Sequence, residues 1–172
     1  MSVGDGIGEM DSVDGVDGEN DDSAAVGAES DGMNLGLLCF IAYRAMETSV
    51  VDALAAAGYG DLTVAQGRLF ARIGPGGTRI SELAEQARVT KQTAGFLVDQ
   101  LERAGYVRRV PDPADARARL VQIAPRGEAA VAVARVAEAE TEAAWTKHLG
   151  KRSSSQLRTA LIRLREIADP YA

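Results

Sequence analysis

The sequence predicts a mainly α-helical fold with a small β-ribbon, in which a helix-turn-helix lobe carries the ribbon as a wing and long helices flank it. Three observations carry this. Val107 to Val110 and Leu120 to Ile123 are short apolar, β-branched runs separated by Pro111, Asp112 and Pro113, the punctuation of a hairpin. Two helical patterns joined by a tight turn, Ser81 to Ala87 and Thr90 to Gly105, stand directly before that ribbon. Long helical stretches at both ends, Met33 to Gly58 and Pro125 to Asp169, have no sheet to cover them and so call for a partner chain.

Each element has its own local reason. Residues Met1 to Gly32 are rich in Gly, Asp and Ser and poor in large apolar side chains, so they bury too little surface to offset their ordering entropy and are expected to be a disordered acidic tail. Met33 to Ala57 reads as an apolar helix stopped by Gly58, and Thr63-Val64-Ala65-Gln66 as a capping box that opens a second helix running to Ile73. Gly74-Pro75-Gly76-Gly77 then resets the chain. Ser81 is expected to cap the third helix and Thr90 the fourth, with a turn at Arg88-Val89 between them. In the fourth, Ala94, Leu97, Leu101 and Ala104 fall on the core face, leaving Lys91, Gln92, Phe96 and Arg103 outward. After the ribbon, Pro125 suits a first helical turn, an Ala-rich helix runs to His148, and Ser153-Ser154-Ser155-Gln156 reads as a capping box for a last helix striped by Leu157, Leu161, Leu164 and Ala168.

The division expected is therefore a tail over 1–32 and one domain over 33–172, with dimerisation helices at 33–58 and 125–169 and a DNA-binding lobe at 62–123. Net charge would mislead on this point. The whole chain carries −6, yet the tail holds ten acidic residues and no Lys or Arg, which leaves 15 acids against 19 bases in the remainder, a net +4. An acidic average is thus compatible with a nucleic-acid partner. The tail lacks the basic start of a signal peptide, and the apolar run Leu35 to Tyr43 is far shorter than the ~20 residues of a membrane span, so a cytoplasmic protein without a membrane partner is expected.

The chemistry of the outward residues suits DNA. Lys91 and Gln92, with Thr90 and Thr93 around them, stand where a recognition helix meets base edges and phosphates, and a Gln amide can read adenine in a bidentate pair. Asp115-Ala116-Arg117-Ala118-Arg119 sets two guanidinium groups at the wing tip, suited to a narrow electronegative minor groove, with Asp115 expected to orient the Arg117 guanidinium. Two such lobes related by a two-fold axis would recognise an inverted repeat with half-site centres about 10 bp apart.

Asp112-Pro113-Ala114-Asp115-Ala116-Arg117, followed by Leu120-Val121-Gln122-Ile123 and Gly127, resembles the wing signature of the MarR family of winged helix-turn-helix regulators. The segments Ser81 to Ala84, Thr90 to Thr93 and Leu101 to Val107 are similar to that family's recognition unit. The likeness spans Met33 to about Asp169. It departs at Gly95-Phe96, where the family often has Ser-Arg, and at Ala124, where it often has a capping Thr. The resemblance implies a homodimeric, sequence-specific transcriptional regulator, a repressor released by a small-molecule effector bound near the first, second and fifth helices. Phe40, Tyr43, Arg44 and Phe70 are the candidates there.

Cys39 and Tyr43 resemble the start of the first helix in the organic-hydroperoxide-sensing branch, but Ala53 and Val64 stand where further tyrosines would be, so Cys39 is expected to be buried and inert rather than a redox centre. One His and one Cys exclude a structural zinc site or a disulfide within one chain. No nucleophile-base set and no phosphate-binding glycine loop is present, so neither catalysis nor a cofactor is expected. The rival readings are a peroxide-responsive regulator of the same fold and a winged helix that docks protein instead of DNA. The basic wing argues against the second.

Overall fold

The computed structural model describes residues 32–169; the acidic tail lies outside the described residues. Among the described residues, five helices and three strands follow in the order α1 (Leu35–Ala56), α2 (Val64–Phe70), β1 (Thr78–Arg79), α3 (Ile80–Gln86), α4 (Lys91–Arg103), β2 (Val107–Asp112), β3 (Asp115–Ile123) and α5 (Pro125–Ala168). The expected helix-turn-helix is α3 and α4, and the expected wing is the β2–β3 hairpin.

Local chemistry sets most boundaries where the sequence puts them. Thr63 and Gln66 form the capping box in full: the Thr63 side chain accepts from the Gln66 N–H and the Gln66 side chain accepts from the Thr63 N–H at 2.8 Å. Thr90 caps α4 by accepting from the Thr93 N–H at 3.1 Å. Other boundaries shift. Arg79, not Ser81, is the N-cap of α3, because the chain is already paired as β1 and turns into the helix directly from that strand, with no side-chain cap bond. The second helix ends at Phe70 rather than Ile73. The expected break between His148 and Ser153 falls at Gly150, which takes φ 78 and ψ 155 and divides α5 into two limbs; glycine alone adopts that conformation without strain, so it takes the break ahead of the serines.

The sheet is antiparallel in the order β1-β3-β2. Thr78 lies opposite Val121, Val107 opposite Ile123, and the hairpin register is interrupted by an irregularity between Pro111 and Asp112. The segment 115–119, expected as a loop, is the first half of β3, so the turn shrinks to Pro113-Ala114. Beneath the sheet, Leu69, Leu83, Ala94, Val98, Leu101, Tyr106 and Val121 are fully or almost fully buried and form one core, joined by Phe70, Ile73 and Ala130. Burial of such side chains contributes about 1.5–3 kcal/mol each. The core therefore locks α2, α3, α4, the sheet and the start of α5 into one lobe.

Candidate nucleic-acid interface

The outward face of α4 is built by burial of its other side. Ala94, Val98 and Leu101 pack inward, and Lys91, Gln92, Thr93, Phe96 and Arg103 remain exposed. Lys91 and Gln92 have no side-chain partner among the described residues, whereas the Thr90 and Thr93 hydroxyls are 2.8 Å apart and engaged with each other in the cap. Phe96 is 57% accessible, a large apolar side chain beside those polar ones. Arg103 is at the far end of the helix, where its Nε donates to the Asp99 carbonyl at 3.1 Å.

Behind the wing, strand β2 is tied to α4 by charge. The Arg109 guanidinium reaches Asp99 at 2.5 Å and also pairs with Glu102, while the Arg109 N–H donates to Glu102 at 3.0 Å. Arg109 is therefore occupied inside the lobe, while Arg108 is exposed and donates to the Gln122 amide oxygen at 3.3 Å. At the wing root, Arg79 of β1 donates through Nε to Asp112 at 2.7 Å, and the other Asp112 oxygen accepts the Ala114 N–H at 2.8 Å. The Ala114 N–H and then the Arg79 guanidinium hold the Asp112 carboxyl below its usual range.

Asp115 differs from its expected role. Its carboxylate accepts the backbone N–H of Arg117 at 3.0 Å and does not grip the guanidinium. With one residue between them on an extended strand, the short carboxylate meets the backbone first, as in the local turns Asp favours. Arg117 and Arg119 are exposed, without a side-chain partner among the described residues, and strand alternation sets both on one face of β3.

A second feature lies between α1, α2, the end of β3 and α5: a cavity of about 440 Å³ lined by apolar groups including Met46, Val50, Leu54, Phe70, Ile123 and Val131. Tyr43 and Phe70, expected there, line it; Arg44 and Phe40 do not. Sequence reasoning missed the charged pair at its edge. Arg68 donates to both Glu47 oxygens at 2.7 and 2.9 Å, Tyr43 donates to Glu47 at 2.8 Å, Arg44 also pairs with Glu47, and the Arg68 guanidinium lies 5.9 Å from the Tyr43 ring centre. The Arg68 hydrogen bonds, more than any other influence, draw the Glu47 carboxyl down to about 2. The spacing Tyr43, Arg44, Glu47 is readable as one helix face, but Arg68 comes from 21 residues further on and only the fold brings it in.

A third junction joins the lobe to α5. Tyr106 donates to Asp61 at 2.6 Å, Arg126 donates to Asp61 at 2.9 Å and to the Ala104 carbonyl at 2.6 Å, and the Arg126 guanidinium stacks 4.4 Å from the Tyr106 ring centre. Burial, and then donation to Asp61, push the Tyr106 hydroxyl up to about 12.

Comparison with known proteins places this geometry. A family model described as the MarR family matches residues 60–118. The transcriptional regulator Tm0710 from Thermotoga maritima is 30% identical, with 77% of this chain and 89% of that chain covered and a TM-score of 0.55. The chain belongs to the MarR family. Its fold, mostly helical with a three-stranded antiparallel sheet, is that of MarR-family transcriptional regulators. The MarR-family protein Rv2887 of Mycobacterium tuberculosis, solved in complex with salicylic acid, is 27% identical over 78% of this chain and 98% of its own, at a TM-score of 0.56. A MarR structure is also 27% identical over 79% of this chain and 98% of its own, at 0.64. No curated protein matches significantly.

Cys39, expected to be buried, is exposed, as is every residue from 32 to 45. Among the described residues no cluster of His, Cys, Asp and Glu is placed to hold a metal, and no helix is long and apolar enough to cross a membrane.

Proposed function

We propose that this MarR-family chain is a homodimeric, sequence-specific DNA-binding repressor released by a small organic effector. One observation carries the DNA reading: Arg117 and Arg119 stand exposed and without a side-chain partner at the wing, whereas Arg79 at its root and Arg109 behind it are held in ion pairs. An arginine left without an internal partner on a protruding hairpin is available to a phosphate or a minor groove. Lys91 and Gln92 at the start of α4 supply the complementary major-groove contacts, Gln92 for adenine and Lys91 for phosphate or guanine. The DNA-binding lobe is assigned to 62–123 and the pairing helices to 33–58 and 125–169.

Dimerisation is supported by two apolar surfaces left uncovered in the single chain. Leu35, Phe40 and Ile41 are exposed at the start of α1, and Leu157, Leu161, Ile162 and Leu164 on the second limb of α5. A second copy covers both and sets two lobes on successive major grooves, so the operator is an inverted repeat. The test is binding of the selected operator by Arg117→Ala at near-physiological salt. Loss of about 1–3 kcal/mol per half-site is expected. Unchanged affinity would make the wing a protein-docking element instead.

The effector reading is supported by the cavity under α1, α2 and α5, whose volume is in the range of small-molecule sites, and by the salicylate complex of the 27% identical Rv2887. Salicylate is expected to release the operator from the wild-type protein in a concentration-dependent titration. Undiminished DNA binding at saturating salicylate, together with no binding of other aromatic acids, would leave a regulator without an effector.

A further inference from the structure

Among the described residues, the exposed large apolar side chains fall on α1, just before it, or on α5, with two exceptions. Val64 is one, only 36% accessible and part of the lining of the apolar cavity. Phe96 is the other, more than half exposed on α4 rather than on either helix that a second copy would cover. Gln92, Phe96, Asp99 and Arg103 recur at i, i+4, i+7 and i+11, the spacing of one helix face. Asp99 is neutralised by Arg109, which leaves an amide, an aromatic ring and a guanidinium in line. Gly95 flanks the ring, and because a Cβ there would meet nothing within 4 Å, no neighbour in the lobe requires the glycine. Its effect is on the outside, where bare backbone lets the helix seat deeper in a groove.

We propose that Phe96 is a specificity-determining residue that reads the 5-methyl group of a thymine in the major groove, about two base steps from the base read by Gln92. The inference rests on the DNA reading and specifies it. Of the four bases only thymine offers an apolar group to the major groove; cytosine presents an amino group there, and the purines present N7 with an amino group or a carbonyl oxygen. A ring set against cytosine would bury that donor unpaired, whereas against thymine it removes a methyl group and its own exposed surface from water. The separation follows from geometry, since four residues advance about 6 Å along a helix and successive bases lie about 3.4 Å apart along the duplex. A protein partner fits this surface less well. No other large apolar side chain of α4 is exposed, and stable protein interfaces bury more than about 1,000 Å².

Fluorescence anisotropy of the full-length protein on its operator, obtained by selection from random duplexes, tests this with deoxyuridine placed at each thymine in turn. Deoxyuridine pairs as thymidine does and lacks only the methyl group. Wild type should lose about fourfold in affinity per half-site at one such thymine, the contribution of one buried methyl group. That thymine should lie within about two base pairs of the position whose preference Gln92→Ala relaxes. Where cytosine replaces it, 5-methylcytosine should bind more tightly than cytosine by a similar factor. Phe96→Ser should lose both methyl preferences and Phe96→Leu should keep them; the side chain is exposed, so neither change disturbs the core. Absence of a methyl-sensitive thymine, or a sensitivity that persists in Phe96→Ser, would overturn the role of Phe96 while leaving the DNA reading intact. Failure of the protein to select any sequence would overturn both.

Discussion

At Gly127, three residues into α5, an added Cβ would lie 2.3 Å from the Tyr106 carbonyl oxygen, 2.9 Å from Ile123 Cγ2 and 3.0 Å from Phe70 Cζ. The nearest of these is backbone and cannot swing away. Gly127→Ala should therefore cost about 1–3 kcal/mol, the range of overpacked interiors. Gly95 is the opposite case, because its Cβ position in the middle of α4 meets nothing within 4 Å. Gly95→Ala should gain about 0.5–1 kcal/mol from the helix propensity of alanine. Urea denaturation of both variants checks the pair, and equal midpoints would refute the steric account. The same comparison explains one letter of the wing signature. Gly127 is legible as a motif position in the sequence, but its reason, the close approach of helix to strand, is visible only once Tyr106 and Phe70 are in place.

The elements are held in register by ion pairs and hydrogen bonds that respond to pH in opposite directions. The carboxyls of Asp112, Asp61 and Glu47 all lie below their ordinary values, Glu47 at about 2, held chiefly by the Ala114 N–H, Tyr106 and Arg68 respectively. Groups with depressed values contribute stability that is complete above their unfolded values, 3.8 for Asp and 4.5 for Glu, and is lost as pH falls through the folded values. Tyr106, raised to about 12, contributes stability that is complete below its unfolded value of 10.0 and is lost as pH rises through 12. The melting temperature should accordingly fall below about pH 4.5 and again above about pH 10. Glu47→Gln should flatten the acid limb and Tyr106→Phe the alkaline one, as thermal melts across pH would record; an acid limb unaltered in Glu47→Gln would remove the Glu47–Arg68 pair from the account. These pairs also mark the limit of legibility. Helix caps at Thr63 and Thr90 and the alternating strands of the wing depend on neighbours three residues away or fewer, so the sequence shows them. The two-residue β1 does not show itself, because Thr78-Arg79 makes a strand only by pairing with Val121 and Leu120. The contacts Arg68–Glu47, Arg79–Asp112 and Arg126–Asp61 span 21, 33 and 65 residues, and no local pattern announces them. Asp115 departs from its expected role for a related reason, since it accepts a backbone N–H, which sequence reading does not weigh against the Arg117 guanidinium.

At the scale of the molecule, the lobe closes its own core but the outer helical limbs do not. On the second limb of α5, Leu157, Leu161 and Leu164 recur at helical spacing and remain exposed, and Ile167 is 87% accessible. A helix with such a stripe is stable in water only when the stripe is covered. In the proposed homodimer each leucine is buried twice, once per copy, at about 1.5–3 kcal/mol per side chain. Folding and association are then linked, so the melting temperature of the wild type should rise with protein concentration. Leu161→Glu places two carboxylates in the shared interface and removes two apolar contacts. The expected result is loss of the dimer together with loss of helix in the outer limb, seen as a smaller sedimentation coefficient and reduced helical circular dichroism. The inner lobe keeps its core of Leu69, Val98, Leu101 and Val121, because none of those residues depends on the outer limb. A wild-type chain that sediments as a folded monomer at micromolar concentration, with a melting temperature independent of concentration, would refute the dimer and with it the inverted-repeat operator, since a single lobe reads only one half-site.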